Sequence, residues 1–144
     1  MSKKTIHEDL FKQYAETVKS HTGINIFENT RKQGFVLARA VVVNAIRKEY
    51  PDTTFHKIKK MFKDNGKDYD HASVLHAVKT YDTYSDPKYG MSYEKQQGLL
   101  NGYTLEDLTY KLNKALKLKQ DIMKRLDDSS INELKKLKKC FRMQ

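Results

Sequence analysis

Cysteine is almost absent: Cys140 stands alone among 144 residues, so no disulfide can form within one chain, which fits a reducing, cytoplasmic setting. Tryptophan is missing, and two prolines and six glycines leave a balance that reads as helical rather than sheet-based. No apolar run approaches the roughly 18 residues of a membrane span. Met1-Ser2-Lys3-Lys4 is not followed by the apolar core of a signal peptide. A soluble intracellular protein with no membrane partner is expected. The chain has no Gly-x-x-x-x-Gly-Lys-Ser/Thr loop, so no nucleotide is expected as a partner. His71 and His76 lie five residues apart, a helical spacing that does not converge two imidazoles on one ion, and no Cys, His or Asp cluster completes a metal site around them; no cofactor is expected. Asp68, Asp70 and His71 lack a positioned nucleophile beside them, which argues against an enzyme.

What is abundant is positive charge. Lysine and arginine total 28 against 18 acidic residues, a formal net charge of +10, and such a field favours an anionic partner, of which nucleic acid is the commonest soluble example. The excess divides evenly between residues 1–82 and 83–144, so arrangement rather than total charge must locate the site. The length suits one ordinary domain with a modest extension.

Apolar spacing lays out the elements. Leu10, Phe11, Tyr14, Ala15 and Val18 follow a helical stripe that Gly23 is placed to stop. Ile24, Ile26 and Phe27 read as the start of a short second element, and residues 29–34 as a basic loop. The run from Phe35 to Tyr50 is long for a strand and holds good helix formers, so it reads as a central helix ended by Pro51. Asp52-Thr53-Thr54 then caps a helix carrying Phe55, Ile58, Met61 and Phe62, and Asn65-Gly66 supplies turn chemistry. Asp70 caps the next helix, whose Val74, Leu75, Val78 and Tyr81 are spaced to bury one face. Residues 83–103 read as a tyrosine-rich linker. Thr104 and Asp107 form a start like a capping box for a leucine-rich helix, and Ser130 with Glu133 opens a last one. Residues 104–144 are therefore expected to form a helical hairpin, a candidate homodimer interface.

Helix, polar turn, helix is the arrangement of a helix-turn-helix, in which the first turns of the second helix reach base edges in the major groove. His71, Ala72, Ser73, His76 and Lys79 occupy the remaining face of the helix that Asp70 opens, short or hydrogen-bonding side chains suited to that task. The Arg31-Lys32 loop suits insertion into the negative minor groove, and Arg39 on the central helix suits a phosphate clamp. Double-stranded DNA is the partner these residues imply, with Lys67 in the turn completing the candidate set.

Four stretches carry a resemblance: Thr30-Arg31-Lys32, Val36-Leu37-Ala38-Arg39, Ile58 with Phe62, and Asp70-His71-Ala72-Ser73-Val74-Leu75-His76-Ala77. Together they resemble the C-terminal DNA-binding domain of the bacterial replication initiator DnaA, whose pattern at the last stretch is Asp-His-Thr-Thr-Val-Leu-His-Ala. The resemblance implies an all-α, Trp-repressor-like helix-turn-helix domain over residues 5–82, followed by the linker and a C-terminal helical extension. It places Arg31 at the family's minor-groove arginine and Arg39 at its arginine near the start of the central helix. It sets Asp70, His71, Ala72 and Ser73 on the major-groove readers and His76 where the helix nears the backbone. Three departures stand out: Ala72 replaces a threonine, Ala40 stands where glutamine is common, and the turn before Asp70 is about four residues longer. Without the family's ATPase domain, the expected function is a small replication-initiation or transcription-regulatory factor. A helical adaptor that uses a DnaA-like shape to engage a host protein is the alternative.

Overall fold

A computed structural model describes residues 3–117, with side chains from Glu8 onward, and every regular element among them is helical. Five helices are α1 (Lys3–Thr22), α2 (Gln33–Glu49), α3 (Phe55–Asp64), α4 (His71–Tyr84) and α5 (Tyr93–Leu99). A sixth, α6, covers residues 105–117. None of the described helices is long and apolar enough to cross a membrane. The chain divides after Leu112 into two units, and α1 to α5 lie wholly in the first.

α2 is the centre. Leu37, Ala38, Ala40, Val41, Val42, Val43, Ala45 and Ile46 are all buried, and a helix that is apolar on every side is stable only when surrounded. α1 and α4 pack against it, and α3 packs on α4. α1 offers the expected stripe of Leu10, Phe11, Tyr14, Ala15 and Val18. It stops at Gly23, whose φ of +76° is open to glycine at no steric cost. The predicted caps at Thr54, Asp70 and Thr104 form. Thr54 accepts a hydrogen bond from the Lys57 amide at 3.2 Å. Thr104 and Asp107 bond reciprocally, amide to side chain, at 3.0 Å each way, a capping box in which aspartate takes glutamate's place.

The structure differs from the sequence reading at four points. Ile24, Ile26 and Phe27 start no helix, because Asn25 turns the chain by accepting the Phe27 amide at 3.0 Å. The helix after the basic loop begins earlier than Phe35, with Gln33 and Gly34 inside α2. On α4 the buried residues are Val74, Ala77 and Thr80, while Leu75 is 41% exposed; the buried stripe is rotated away from the one that apolarity alone suggests.

Finally, residues 83–103 are not an extended linker: they hold α5 and bury Met91, Gln96 and Leu100. Gln96 ties this region together, donating to the Tyr84 and Met91 carbonyls at 3.0 and 2.7 Å and accepting the Leu105 amide at 2.8 Å. Gly34 belongs to the same joint, since a Cβ there would overlap the Leu99 backbone carbonyl. Leu105, Leu108 and Leu112 are buried within the first unit, so these three leucines do not offer themselves to a second copy. The predicted last helix from Ser130, and the rest of the proposed dimer region beyond residue 117, lie outside the described residues.

Candidate functional site

An aromatic cluster supports one side of the molecule. Phe11 meets Phe62 edge-on at 5.0 Å between centroids, Phe27 lies 5.7 Å from Phe11 and 5.9 Å from Phe62, and Tyr69 stacks on Phe62 at 4.1 Å. Edge-on and stacked pairs of this kind fix ring positions as well as bury area. The cluster therefore anchors both the loop after α1, through Phe27, and the α3–α4 turn, through Tyr69.

Between that loop and that turn opens a concavity of about 710 Å³. Arg31, Arg39, Lys67, Asp70, Ala72, Ser73 and His76, all singled out in the sequence, line it together with Asn29, Thr30, Val36, Asp68 and Tyr69. Lys32, His71 and Lys79 are not on its lining; all three are exposed, His71 and Lys79 on α4 and Lys32 at the position that caps α2. The fold thus brings together residues up to 47 positions apart, from Asn29 to His76.

Arg39 is not where a phosphate clamp would need it. It is only 4% exposed, and its guanidinium donates to the carbonyls of Ile26 at 2.8 Å and Thr30 at 2.9 Å and also to that of Glu28. Three backbone acceptors of a loop with no ladder of its own are satisfied by one planar fork. Burial lowers its pKa, with Tyr69 and Glu28 opposing, yet an arginine stays protonated in proteins. Its work in the structure is to hold the loop whose end carries Arg31.

The turn is built as closely. Asn65 donates from its side chain to the Met61 carbonyl at 2.7 Å, Gly66 takes a φ of +87°, and the Lys67 amide returns to the Phe62 carbonyl at 3.0 Å. Lys67 consequently turns inward and is only 8% exposed. Burial and then the charges of Arg39 and Arg31 lower its pKa, while Asp68 pulls the other way. Tyr69 is pushed up to about 12, mainly by burial, with Arg39 lowering it and Asp70 raising it.

Asp70 accepts the Ser73 amide at 2.8 Å, the N-cap of α4. That bond, followed by one from the Ser73 hydroxyl, holds its carboxyl below the usual carboxylate range. Asp70 and Ser73 are thereby committed to each other. No hydrogen bond among the described residues joins Ser73 to His76, as a nucleophile and its base would require. His71 has a neighbour that sequence spacing does not reveal, His56 at the start of α3, with ring centroids 6.4 Å apart. No group of three or more potential metal-ligating side chains occurs among the described residues.

The exposed side of α4 beside the concavity presents His71, Ala72, Leu75, His76 and Lys79. Sequence reasoning assigns Leu75 to the core because periodicity records apolarity and not which of two apolar rows meets the neighbouring helix. It misses Asn29 and Tyr69, which carry no charge and fall in no motif, and it names Thr30 and Val36 only as parts of the stretches that carry the resemblance. Comparison with protein-family models, with curated proteins and with solved structures shows no match to this chain.

Proposed function

We propose that the chain is a sequence-specific binder of double-stranded DNA, in which α3, the turn and α4 act as a helix-turn-helix and α4 enters the major groove. The observation that carries this reading is the meeting of Arg31 and Lys67 with the exposed N-terminal face of α4 at one concavity, on a chain of net charge +10. An α-helix fits the major groove, and its first turns reach base edges. His71 and His76 supply hydrogen-bonding groups there, and Ala72 and Leu75 supply apolar contacts for thymine methyl groups. Arg31, exposed at the end of a loop braced by Arg39, is set to meet the DNA backbone beside that groove. The resemblance to the DnaA DNA-binding domain runs through the same residues and suggests a replication-initiation or transcription-regulatory role.

Gel-shift titration of random duplex at two salt concentrations tests the electrostatic part, since displaced counterions make affinity fall steeply with salt. Selection from a random duplex library then tests readout: an enriched motif is expected, and its loss in a His71→Ala, Leu75→Ala variant. Salt-insensitive or absent binding refutes the reading. The alternative, a helical adaptor for a host protein, draws support from Tyr89, Tyr93 and Tyr110, which are 80%, 44% and 63% exposed; tyrosine is enriched at protein interfaces.

A further inference from the structure

Lys67 is the least expected side chain in the molecule. Its side chain is more than nine-tenths buried and lines the concavity, and its ammonium reaches the open space there without a hydrogen bond or ion pair among the described residues. Two further cations, Arg31 and Arg39, lie close enough to disfavour its charge. Like charges are ordinarily kept apart. Here a glycine turn and a stacked tyrosine fix the lysine in the unfavourable place.

The opposing carboxylates do not settle the account. Asp70 is engaged by Ser73, and Asp68 is exposed at the rim. Arg31 likewise makes no hydrogen bond or ion pair among the described residues. An anion entering the concavity would meet two uncommitted cations and a third behind them, and it would relieve the repulsion among all three. A phosphate suits them because its several oxygens can accept from an ammonium and a guanidinium together.

We propose that this concavity is a phosphate-binding subsite with Lys67 and Arg31 as its ligands and Arg39 as the buried charge behind them, and that it holds one backbone phosphate of bound DNA. The source of the phosphate rests on the DNA reading above; the subsite itself does not. Its place in the lengthened turn makes Lys67 a register pin, fixing how far α4 can enter a groove.

The test has two arms on the full chain. In the first, inorganic pyrophosphate is titrated while amide shifts are followed by NMR. Saturable shifts are expected at residues 29–31 and 67–73, abolished in Lys67→Met and retained in Lys67→Arg and in Lys95→Gln, an exposed lysine on α5. Lys67→Met should melt no lower than the parent, because it keeps the packed apolar stem and removes a cation that two arginines repel, and that separates lost binding from lost folding. In the second arm, duplex DNA is titrated over a salt series, and Lys67→Met should reduce the salt slope by about one. Shifts that do not saturate, or that survive unchanged in Lys67→Met, overturn the subsite even if DNA binds. Saturation at Lys67 by pyrophosphate in a protein that binds no DNA upholds the subsite and overturns the backbone as its source.

Discussion

Replacing Arg39 by methionine separates a structural brace from a phosphate clamp. The substitution keeps much of the apolar stem and removes the guanidinium, leaving the carbonyls of Ile26, Glu28 and Thr30 without their donor. A hydrogen bond to a charged group contributes about 1.5–3 kcal/mol net, and a carbonyl left dry costs about 1–3 kcal/mol. Ile26 is fully buried, whereas Glu28 is exposed and Thr30 half-exposed, so water can reach the last two acceptors and only the first is stranded. The low end of the range for two bonds and the high end for the third gives roughly 6 kcal/mol, more than all but a few single substitutions reach. Domain stabilities run from about 5 to 15 kcal/mol, so the variant should be close to unfolding at room temperature. Urea titration followed by circular dichroism measures it. Arg39→Lys, which can reach only some of the three carbonyls, should recover less than half of the loss. If Arg39→Met unfolds within about 1 kcal/mol of the parent, the size of a surface-like effect, or if Arg39→Lys restores full stability, the brace is wrong and a surface role for the charge returns.

Tyr14 is fully buried with no partner for its hydroxyl among the described residues, so Tyr14→Phe should stabilise the fold by about 1 kcal/mol in the same urea assay, because an unpaired buried polar group is removed. Burial, with Glu49 and Tyr50 adding, pushes the Tyr14 phenol from an ordinary value of 10.0 to about 12. Above pH 10 the unfolded chain releases this proton first, so stability should fall as pH rises through that window, and the fall should be shallower in Tyr14→Phe. Gly34→Ala should lower the melting temperature, because the new Cβ meets the Leu99 carbonyl, and overpacking of this kind costs about 1–3 kcal/mol. Gly98→Ala, where nothing lies within 4 Å of the added carbon, should be neutral or raise it. A chain ending at residue 84 should lose cooperative melting, since it lacks Leu100, Leu105, Leu108 and Leu112, all buried in the first unit; a sharp transition at the parent's temperature would contradict the packing described.

The helices are legible wherever a local signal agrees with tertiary packing. Asp70 and Thr54 announce their helices because capping is a matter of a few neighbouring residues, and the apolar run of α2 can be buried only as a central helix. What sequence does not reveal is the partner of each face. Arg39 reads as a surface cation because arginine usually is one, and nothing nearby in sequence tells of three loop carbonyls 9 to 13 positions away. Gln96 reads as an ordinary polar residue, yet it serves backbone groups on both sides of α5. The α4 face of the candidate site is found by motif and spacing. The buried Lys67 and the His56–His71 pair depend on how α3, the turn and α4 are set in space.

The joint between the end of α1 and the loop before α6 also bears on how the chain is made. Asn101 donates to the Thr22 carbonyl across 79 positions, and Tyr103 lies against His21. At about 5–20 residues per second of synthesis, α1 exists for roughly 4–16 s before its final neighbours have been added. During that interval the nascent chain has α1, α2 and then α4 available but no α5 or α6 to close over them, and contacts so distant in sequence slow folding further. A ribosome-bound chain paused just after α4 would therefore display apolar surface that residues 84–112 cover in the finished protein.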